Sequence, residues 1–479
     1  MKVKAILILL LFLKLEMVSS QAPKDKYAFL LKAGNKEFAS FHYKYALTFY
    51  QEYYKKNSHS FETLQLIGDC YYKMLNYDDA LQIYTSLPVK STPVLEKIAE
   101  LYAWKQDYNE AKNAYYRLNS RTKSDARSSY YLERISGFDK INDFYKDSLD
   151  WKVKFLNINS AANEQSPLFF QNGLLFVSNR NTGNFQPNSY GWNGENKDHI
   201  YFLKDRSTLF EINPNSIKKV LEEKIEFLID RTPATSNDNN TLTKKRVKYK
   251  KEYEVNSVPL FEEGLKLMAN VGPLSMTGDG NVIYFTRNRS DKVNGVNLLE
   301  VCKIEKTSNK WGNVIVLSLN VPTASSFHPF INSSGTTLYF ASDREGGFGG
   351  TDIYKVEKLN DTSWSNPENL GSSVNSQGNE LFPSENNNEL FFSSNGWGGL
   401  GGLDLFQISE QHSEKPVNLG YPINSSSDDF GFVSTLEGKE GFFSSNRYGN
   451  DDLFGYRFEK YFSSINGTII DAKTKNIKK

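Results

Sequence analysis

Residues 338 to 354 read Leu-Tyr-Phe-Ala-Ser-Asp-Arg-Glu-Gly-Gly-Phe-Gly-Gly-Thr-Asp-Ile-Tyr, and this phrase decides the fold because it returns along the chain. It comes back as Leu390-Phe391-Phe392-Ser393-Ser394-Asn395-Gly396 with Asp404-Leu405-Phe406, and as Gly441-Phe442-Phe443-Ser444-Ser445-Asn446-Arg447 with Asp452-Leu453-Phe454. Upstream, residues 280–289 and 172–180 carry the same strand ending in Asn-Arg. The aligned positions Leu175, Tyr284, Tyr339, Phe391 and Phe442 lie 109, 55, 52 and 51 residues apart. Self-similarity at such a period means stacked or radially arranged units.

Each copy has the parts of a small antiparallel sheet. A turn (Asn172-Gly173, Asp279-Gly280, Ser334-Gly335, Asn387-Asn388, Glu437-Gly438) feeds an aromatic or β-branched strand. Pro167, Pro273, Pro329 and Pro383 are expected to open the preceding strand, where no ladder donor is needed. Strands apolar nearly throughout, such as Leu338-Tyr339-Phe340, belong to sheets covered on both faces, as in a ring of blades. These repeats resemble the TolB-type propeller, in which a Ser-Asp/Asn-Arg strand end and an Asp-Ile-Tyr strand start recur in each blade. The matching positions are Asp198, Asn297, Asp352, Asp404 and Asp452. The aspartates are expected to bond backbone or arginine side chains, with Arg180, Arg289, Arg344 and Arg447 as partners.

The doubled first gap means an insertion, residues 206–258, or a hidden sixth blade. The insertion is the preferred reading because neither turn nor phrase recurs within it. Ser216 to Asp230 reads there as an amphipathic helix. The basic run containing Lys244, Lys245, Arg246, Lys248, Lys250 and Lys251 reads as a solvated loop or edge strand, or as a dock for an acidic partner or an anionic envelope surface.

Residues 26 to 120 change to a helical period. Gly68, Tyr71, Ala80 and Tyr84 fall at offsets that Ala99, Tyr102, Ala111 and Tyr115 repeat, and that Gly34, Ala46 and Tyr50 fill in part. This resembles the tetratricopeptide pattern, in which small residues let paired helices approach and tyrosines fill the space between neighbouring pairs. Three repeats, at about 27–60, 61–91 and 92–122, are followed by a helix near 125–145 that is expected to cap the array with a polar outer face.

Lys2 and Lys4 precede an apolar run from Ala5 to Leu13, and Val18-Ser19-Ser20 supplies small residues before Gln21. That pattern is a signal peptide, residues 1–20, too short for a span of about 20 apolar residues. The fold class is therefore α plus all-β multidomain. A tetratricopeptide α-solenoid (21–148) leads into a β-propeller of five blades, or six, (149–460) and the start of a β-sandwich (461–479). The chain has 479 residues, a net charge of +1 and two cysteines, Cys70 and Cys302. This composition argues against a nucleic-acid surface, and the two thiols read as buried and free.

No catalytic, cofactor-binding or metal residues are assigned. Gly396, Gly398 and Gly401 match G-x-G-x-x-G, but a strand follows instead of the helix a dinucleotide needs. There is no G-x-S-x-G, and the five histidines lack zinc spacing. The pairs Asp428-Asp429 and Asp451-Asp452 suit either calcium or solvated turns. The residues singled out are structural repeat positions: Gly68, Tyr71, Ala80, Ala111, Arg344, Asp352, Asp404 and Asp452.

In domain order the chain is similar to the OmpA-family envelope proteins of Bacteroidota, including the PorE-type component of type IX secretion and gliding machinery. Ser463 to Ala472 resembles the first strand of a carboxypeptidase-regulatory-like sandwich. The chain stops before any OmpA domain, so the family's peptidoglycan anchoring is not carried over. The resemblance implies a periplasmic, outer-membrane-associated scaffold without catalysis, its helical groove and propeller face holding protein partners. The alternative is a propeller binding glycans or peptidoglycan fragments through aromatics such as Trp397 and Tyr448. An exported hydrolase is disfavoured by the missing motifs.

Overall fold

The computed structural model describes residues 25–57, 60–180, 197–217, 227–229, 242–244, 258–261, 271–293, 296–308, 310–360, 363–409 and 415–460. The signal segment, the sandwich strand and the basic run beyond Lys244 lie outside them. The chain divides into two compact units, one ending at Leu87 and the other beginning at Pro88.

The first unit holds four helices: α1 (Ala28–Ala39), α2 (Tyr43–Lys56), α3 (Phe61–Lys73) and α4 (Tyr77–Ser86). A Cβ on Gly34 would lie 2.5 Å from Tyr50, and one on Gly68 would lie 2.9 Å from Tyr84. Glycine is therefore what lets each tyrosine ring cross the partner helix. Each hydroxyl is satisfied by the residue after the glycine: Tyr50 Oη donates to Asn35 Oδ1 at 2.8 Å, and Tyr84 Oη to Asp69 Oδ1 at 2.6 Å. These tyrosines thus pack within their own helix pair, where the sequence reading set them between pairs. Tyr71 reaches the neighbouring pair, accepting from Gln51 Nε2 at 3.1 Å, and Ala80 is wholly buried. Cys70 is buried and free, and burial pushes its thiol up.

The second unit begins with α5 (Thr92–Trp104), α6 (Tyr108–Arg121) and α7 (Asp125–Asp139). Ala99 and Ala111 are wholly buried and Tyr115 nearly so. The turns inside the three helix pairs share one conformation: Phe41, Leu75 and Gln106 have φ of 60°, 61° and 63°. The next residue's N–H returns to the carbonyl five back, from His42 to Glu37, Asn76 to Tyr71 and Asp107 to Tyr102. That closes each first helix in the Schellman manner, with side-chain-bearing residues where glycine is usual.

The same unit contains a five-bladed propeller. Its blades are built on the strand triplets Glu164–Phe170, Gly173–Ser178, His199–Leu203; Val271–Met276, Val282–Val293, Val296–Thr307; Ser326–Ile331, Thr337–Ser342, Asp352–Asn360; Glu380–Asn386, Glu389–Ser394, Asp404–Ser409; and Asp429–Ser434, Glu440–Ser445, Asp452–Phe458. The fifth blade's outer strand is Trp151–Phe155, paired antiparallel with Asp452–Phe458. Middle strands send alternate residues to opposite neighbours. Leu338 and Phe340 join the cluster with Tyr284 and Val301 of blade 2, while Tyr339 joins the one with Leu390 and Phe392 of blade 4. An equivalent cluster fills every blade junction, including blade 5 to blade 1 through Leu453, Leu174 and Phe176. Each such side chain contributes about 1.5–3 kcal/mol by burial.

Three readings are corrected. The prolines do not open the inner strands; they sit inside them, at a β-bulge present in all five blades. The bulge frees the proline from donating, and in blades 1, 3 and 4 the preceding Ser166, His328 and Phe382 have φ of 50–55°. Phe227–Ile229 is a strand paired with Leu242–Lys244, so the helix read over Ser216 to Asp230 does not hold at these three residues, residues 218–226 lying outside the described ones; Phe-Leu-Ile suits a strand once a partner is available. Finally, α7 is no solvated cap. It buries Tyr130, Tyr131, Arg134, Ile135, Gly137 and Phe138, and it packs against both α6 and a propeller loop.

Candidate functional site

Blade junctions are tied by a repeated polar set. An asparagine ahead of an inner strand bonds both backbone groups of one residue in the preceding blade: Asn159 with Leu453, Asn320 with Val301, Asn375 with Ile353 and Asn424 with Leu405, at 2.7–3.0 Å. After three of these comes a serine whose N–H and hydroxyl bind the carboxylate that opens the inner strand. The pairs are Ser160 with Glu164, Ser376 with Glu380 and Ser425 with Asp429. The phrase arginine joins them. Arg180 lies 2.9 Å from Glu164 and Arg447 pairs with Asp429, each also donating to the carbonyl just before the asparagine, Ile158 or Ile423. Arg344 bonds Leu319 O and Ser326 Oγ at 3.1 Å and lies over Phe340 and Tyr354.

Arg180 and Arg447 therefore serve inner-strand carboxylates, while Arg289 pairs with Asp291 at 2.8 Å. Asp352 instead accepts backbone N–H from Phe348 and Gly349, and Asp404 from Leu400 and Gly401. Asp452 is buried at the start of its strand. Asp428 and Asp429 face different partners, Leu403 N–H and Asn446 for one and Ser425 and Arg447 for the other. Among the described residues no group of three His, Cys, Asp or Glu is placed to hold a metal. Nor is any helix long and apolar enough to cross a membrane.

Blade 4 departs from the set. Gly396 stands at the arginine position, and Trp397 Nε1 donates to Val374 O at 2.9 Å, the carbonyl the arginine takes elsewhere. An indole fills that bond without charge, so Glu380 lacks a cation. Burial, which two serine hydroxyls only partly offset, pushes its carboxyl up to about 7. The glycine-rich loop that follows is a cradle for α7. Arg134, 1% exposed, donates to Trp397 O at 2.9 Å and Gly401 O at 2.6 Å. A Cβ on Gly137 would lie 2.7 Å from Gly398 Cα. Trp397 is thus half-buried in this cradle, under Lys415, and is no exposed platform; Tyr448 is exposed but rests on Phe155 and Phe454.

The central channel is closed by Pro167, Pro273, Pro329, Pro383, His328 and Phe382, leaving about 40 Å³. His328 stacks on Phe382 at 3.7 Å, accepts Phe382 N–H, and is pushed down to about 3 by burial.

Among the described residues, the surfaces open to recognition include two formed by the helices. In the first unit Phe29, Phe41, Phe61 and Leu75 are 38–54% exposed. In the second, a polar cleft of about 190 Å³ lies between α5–α7 and the loops of blades 3 and 4, lined by Glu96, Glu100, Tyr115, Arg127, Tyr130 and Gln377–Asn379 among others. Glu96 holds Arg127 at 3.3 Å and accepts from Tyr131. Neither surface was singled out in the sequence: Tyr115 and Asn395 belong to repeat phrases, but Glu96, Glu100, Arg127, Phe41 and Leu75 do not.

No family model matches the chain, and no curated protein matches it. Solved structures are similar to it at low identity. A putative TolB from Agrobacterium tumefaciens is 14% identical over 42% of this chain and 72% of that one, with a TM-score of 0.28. An α-L-arabinofuranosidase from Lactobacillus brevis is 11% identical over 63% and 90%, at 0.32. An α-L-arabinanase from Penicillium chrysogenum is 8% identical over 64% and 98%, at 0.33. The expectation that the chain is not an enzyme is overturned by these likenesses, since several of the similar structures are glycosidases by name. Glycoside hydrolysis runs on two carboxylates with no motif of their own, so missing serine and zinc motifs were the wrong test.

Proposed function

We propose that the chain is a periplasmic scaffold of an outer-membrane assembly, of the type IX secretion or gliding kind, that holds protein partners on its helical repeats and propeller face. One observation carries this reading. Phe41 and Leu75 stand at equivalent turns with left-handed backbone, a conformation that disfavours their side chains, yet both remain exposed. Asparagine or glycine would serve the turn better, and although Phe41 meets Tyr43 edge-on, the exposed apolar surface of both residues is explained by what it contacts outside the chain. The polar set of the propeller supports the reading too, because its buried groups are used in holding blades rigid. The test is a crosslinking pulldown of the mature chain from native envelopes, beside a Phe41→Asn, Leu75→Asn double variant. Outer-membrane assembly proteins should be recovered and should fall at least tenfold with the variant. Equal recovery from both chains would overturn the proposal.

A further inference from the structure

We propose that the loop of residues 345–350 in blade 3 is a second helix cradle, which receives from a partner protein a helix carrying an arginine and, three residues later, a glycine, alanine or serine. The partner is one of those the propeller face holds, so this inference rests on the scaffold reading.

The molecule supplies its own template. Blades 3 and 4 build the same loop: Phe348 and Gly349 N–H bind Asp352 as Leu400 and Gly401 N–H bind Asp404. Gly350 N–H reaches Gly378 O at 2.7 Å, and Gly402 N–H reaches Ser426 O at 3.2 Å. In blade 4 this loop is filled by α7. Arg134 donates to Gly401 O at 2.6 Å, a Cβ on Gly398 would lie 3.0 Å from Gly137 Cα, and Leu400 is wholly buried. In blade 3 residues 345–350 are all exposed, Phe348 by 40%, and a Cβ on Gly346 would meet nothing within 4 Å. Gly349 O, the counterpart of Gly401 O, accepts from no described residue. The loops part at one residue: Gly346 has φ of 89° and Gly398 is not left-handed, so the Glu345 carbonyl is not matched to that of Trp397.

Charge selects the occupant. Blade 3 has Asp343 and Glu345, both exposed, where blade 4 has Asn395 and Trp397. Within residues 343–352 the acids Asp343, Glu345 and Asp352 stand beside one base, Arg344, which turns inward onto Leu319 O and Ser326 Oγ. The excess of negative charge favours an incoming guanidinium, as Gly349 O does by accepting from it. Phe348 offers the apolar contact, and a small residue one turn after the arginine lets helix and loop backbones approach as Gly137 and Gly398 do.

Calorimetric titration of the full chain with a peptide of the α7 sequence, residues 125–139, tests this; a staple across its exposed positions 125 and 129 keeps it helical. It should bind with a Kd under about 1 mM. Arg134→Gln or Gly137→Val in the peptide, and Glu345→Lys or Phe348→Ser in the chain, should each weaken binding at least fivefold. The two chain variants, being at exposed positions, should leave the thermal midpoint unchanged. A flat titration would overturn the proposal, and so would binding indifferent to both chain variants, which displacement of α7 from blade 4 would give. Neither result touches the envelope pulldown, which reads Phe41 and Leu75, so the two readings fail separately.

Discussion

Replacing Gly137 by alanine sets two effects of opposite sign against each other. Within a helix, alanine is favoured over glycine by about 1 kcal/mol. Here, however, the new Cβ would lie 2.7 Å from Gly398 Cα and 2.9 Å from Gly399 N, where ordinary contact begins at 3.4 Å. Both obstacles are backbone, so the loop must recede by about 0.7 Å. The same loop supplies the carbonyls of Trp397 and Gly401 to Arg134, at 2.9 and 2.6 Å. Hydrogen bonds to charged groups are worth about 1.5–3 kcal/mol each, and overpacking costs about 1–3 kcal/mol. Partial loss of both outweighs the propensity gain, and the expected net destabilisation is about 2 kcal/mol. Urea denaturation followed by far-ultraviolet circular dichroism measures it, with Ser136→Ala as the control for propensity alone. If Gly137→Ala matched or exceeded the parent in stability, the cradle would not hold α7 as described.

Three further outcomes are expected. Asn424→Ala strands the N–H and carbonyl of Leu405 in the interior, and unfolding titrations should show a loss of about 3 kcal/mol; a loss under 1 would refute the role. Glu380, with its folded value up at about 7, holds a proton in the native state that the unfolded chain releases near pH 4.3. Its contribution to stability should therefore fall as pH rises from about 4.5 to 7, by up to about 3 kcal/mol, and Glu380→Gln should flatten that slope in denaturation curves taken across the range. The Phe41→Asn, Leu75→Asn variant should fold at least as stably as the parent, by thermal melts, because asparagine tolerates left-handed backbone better.

The blades were legible because one phrase repeats with its turn and its apolar strand, and the period survives in Leu338 to Phe340 almost unaltered. The asparagine ties were not, although Asn-Ser stands ahead of three inner strands. A dipeptide carries little signal, and its partner lies 19 to 294 residues away. The recurring aspartates take the backbone half of the expectation at Asp352 and Asp404, and for the same reason the inner-strand carboxylates that Arg180 and Arg447 pair with could not be named. Ser-Asn-Arg and Asp-Ile-Tyr adjoin in sequence, but the fold carries the guanidinium to the inner strand. The loop from Gly396 to Gly402 could be excluded as a dinucleotide site from the strand that follows. That it receives a helix some 260 residues upstream could not be read, since a close glycine-to-glycine approach has no periodicity. The cleft was invisible because its lining comes from three helices and two loops.

The pairing of Trp151 with Phe458 joins residues 307 positions apart. During synthesis, then, the first strand of the ring is made long before the strand it must clasp, and it waits through four blades for it. Local helix pairs can settle in that interval, whereas the ring cannot close until its final strand has emerged. Until then the aromatic face of Trp151, which meets Tyr456 and Phe458 in the finished ring, stays uncovered. A break anywhere within Asp452–Phe458 would leave the clasp open for good.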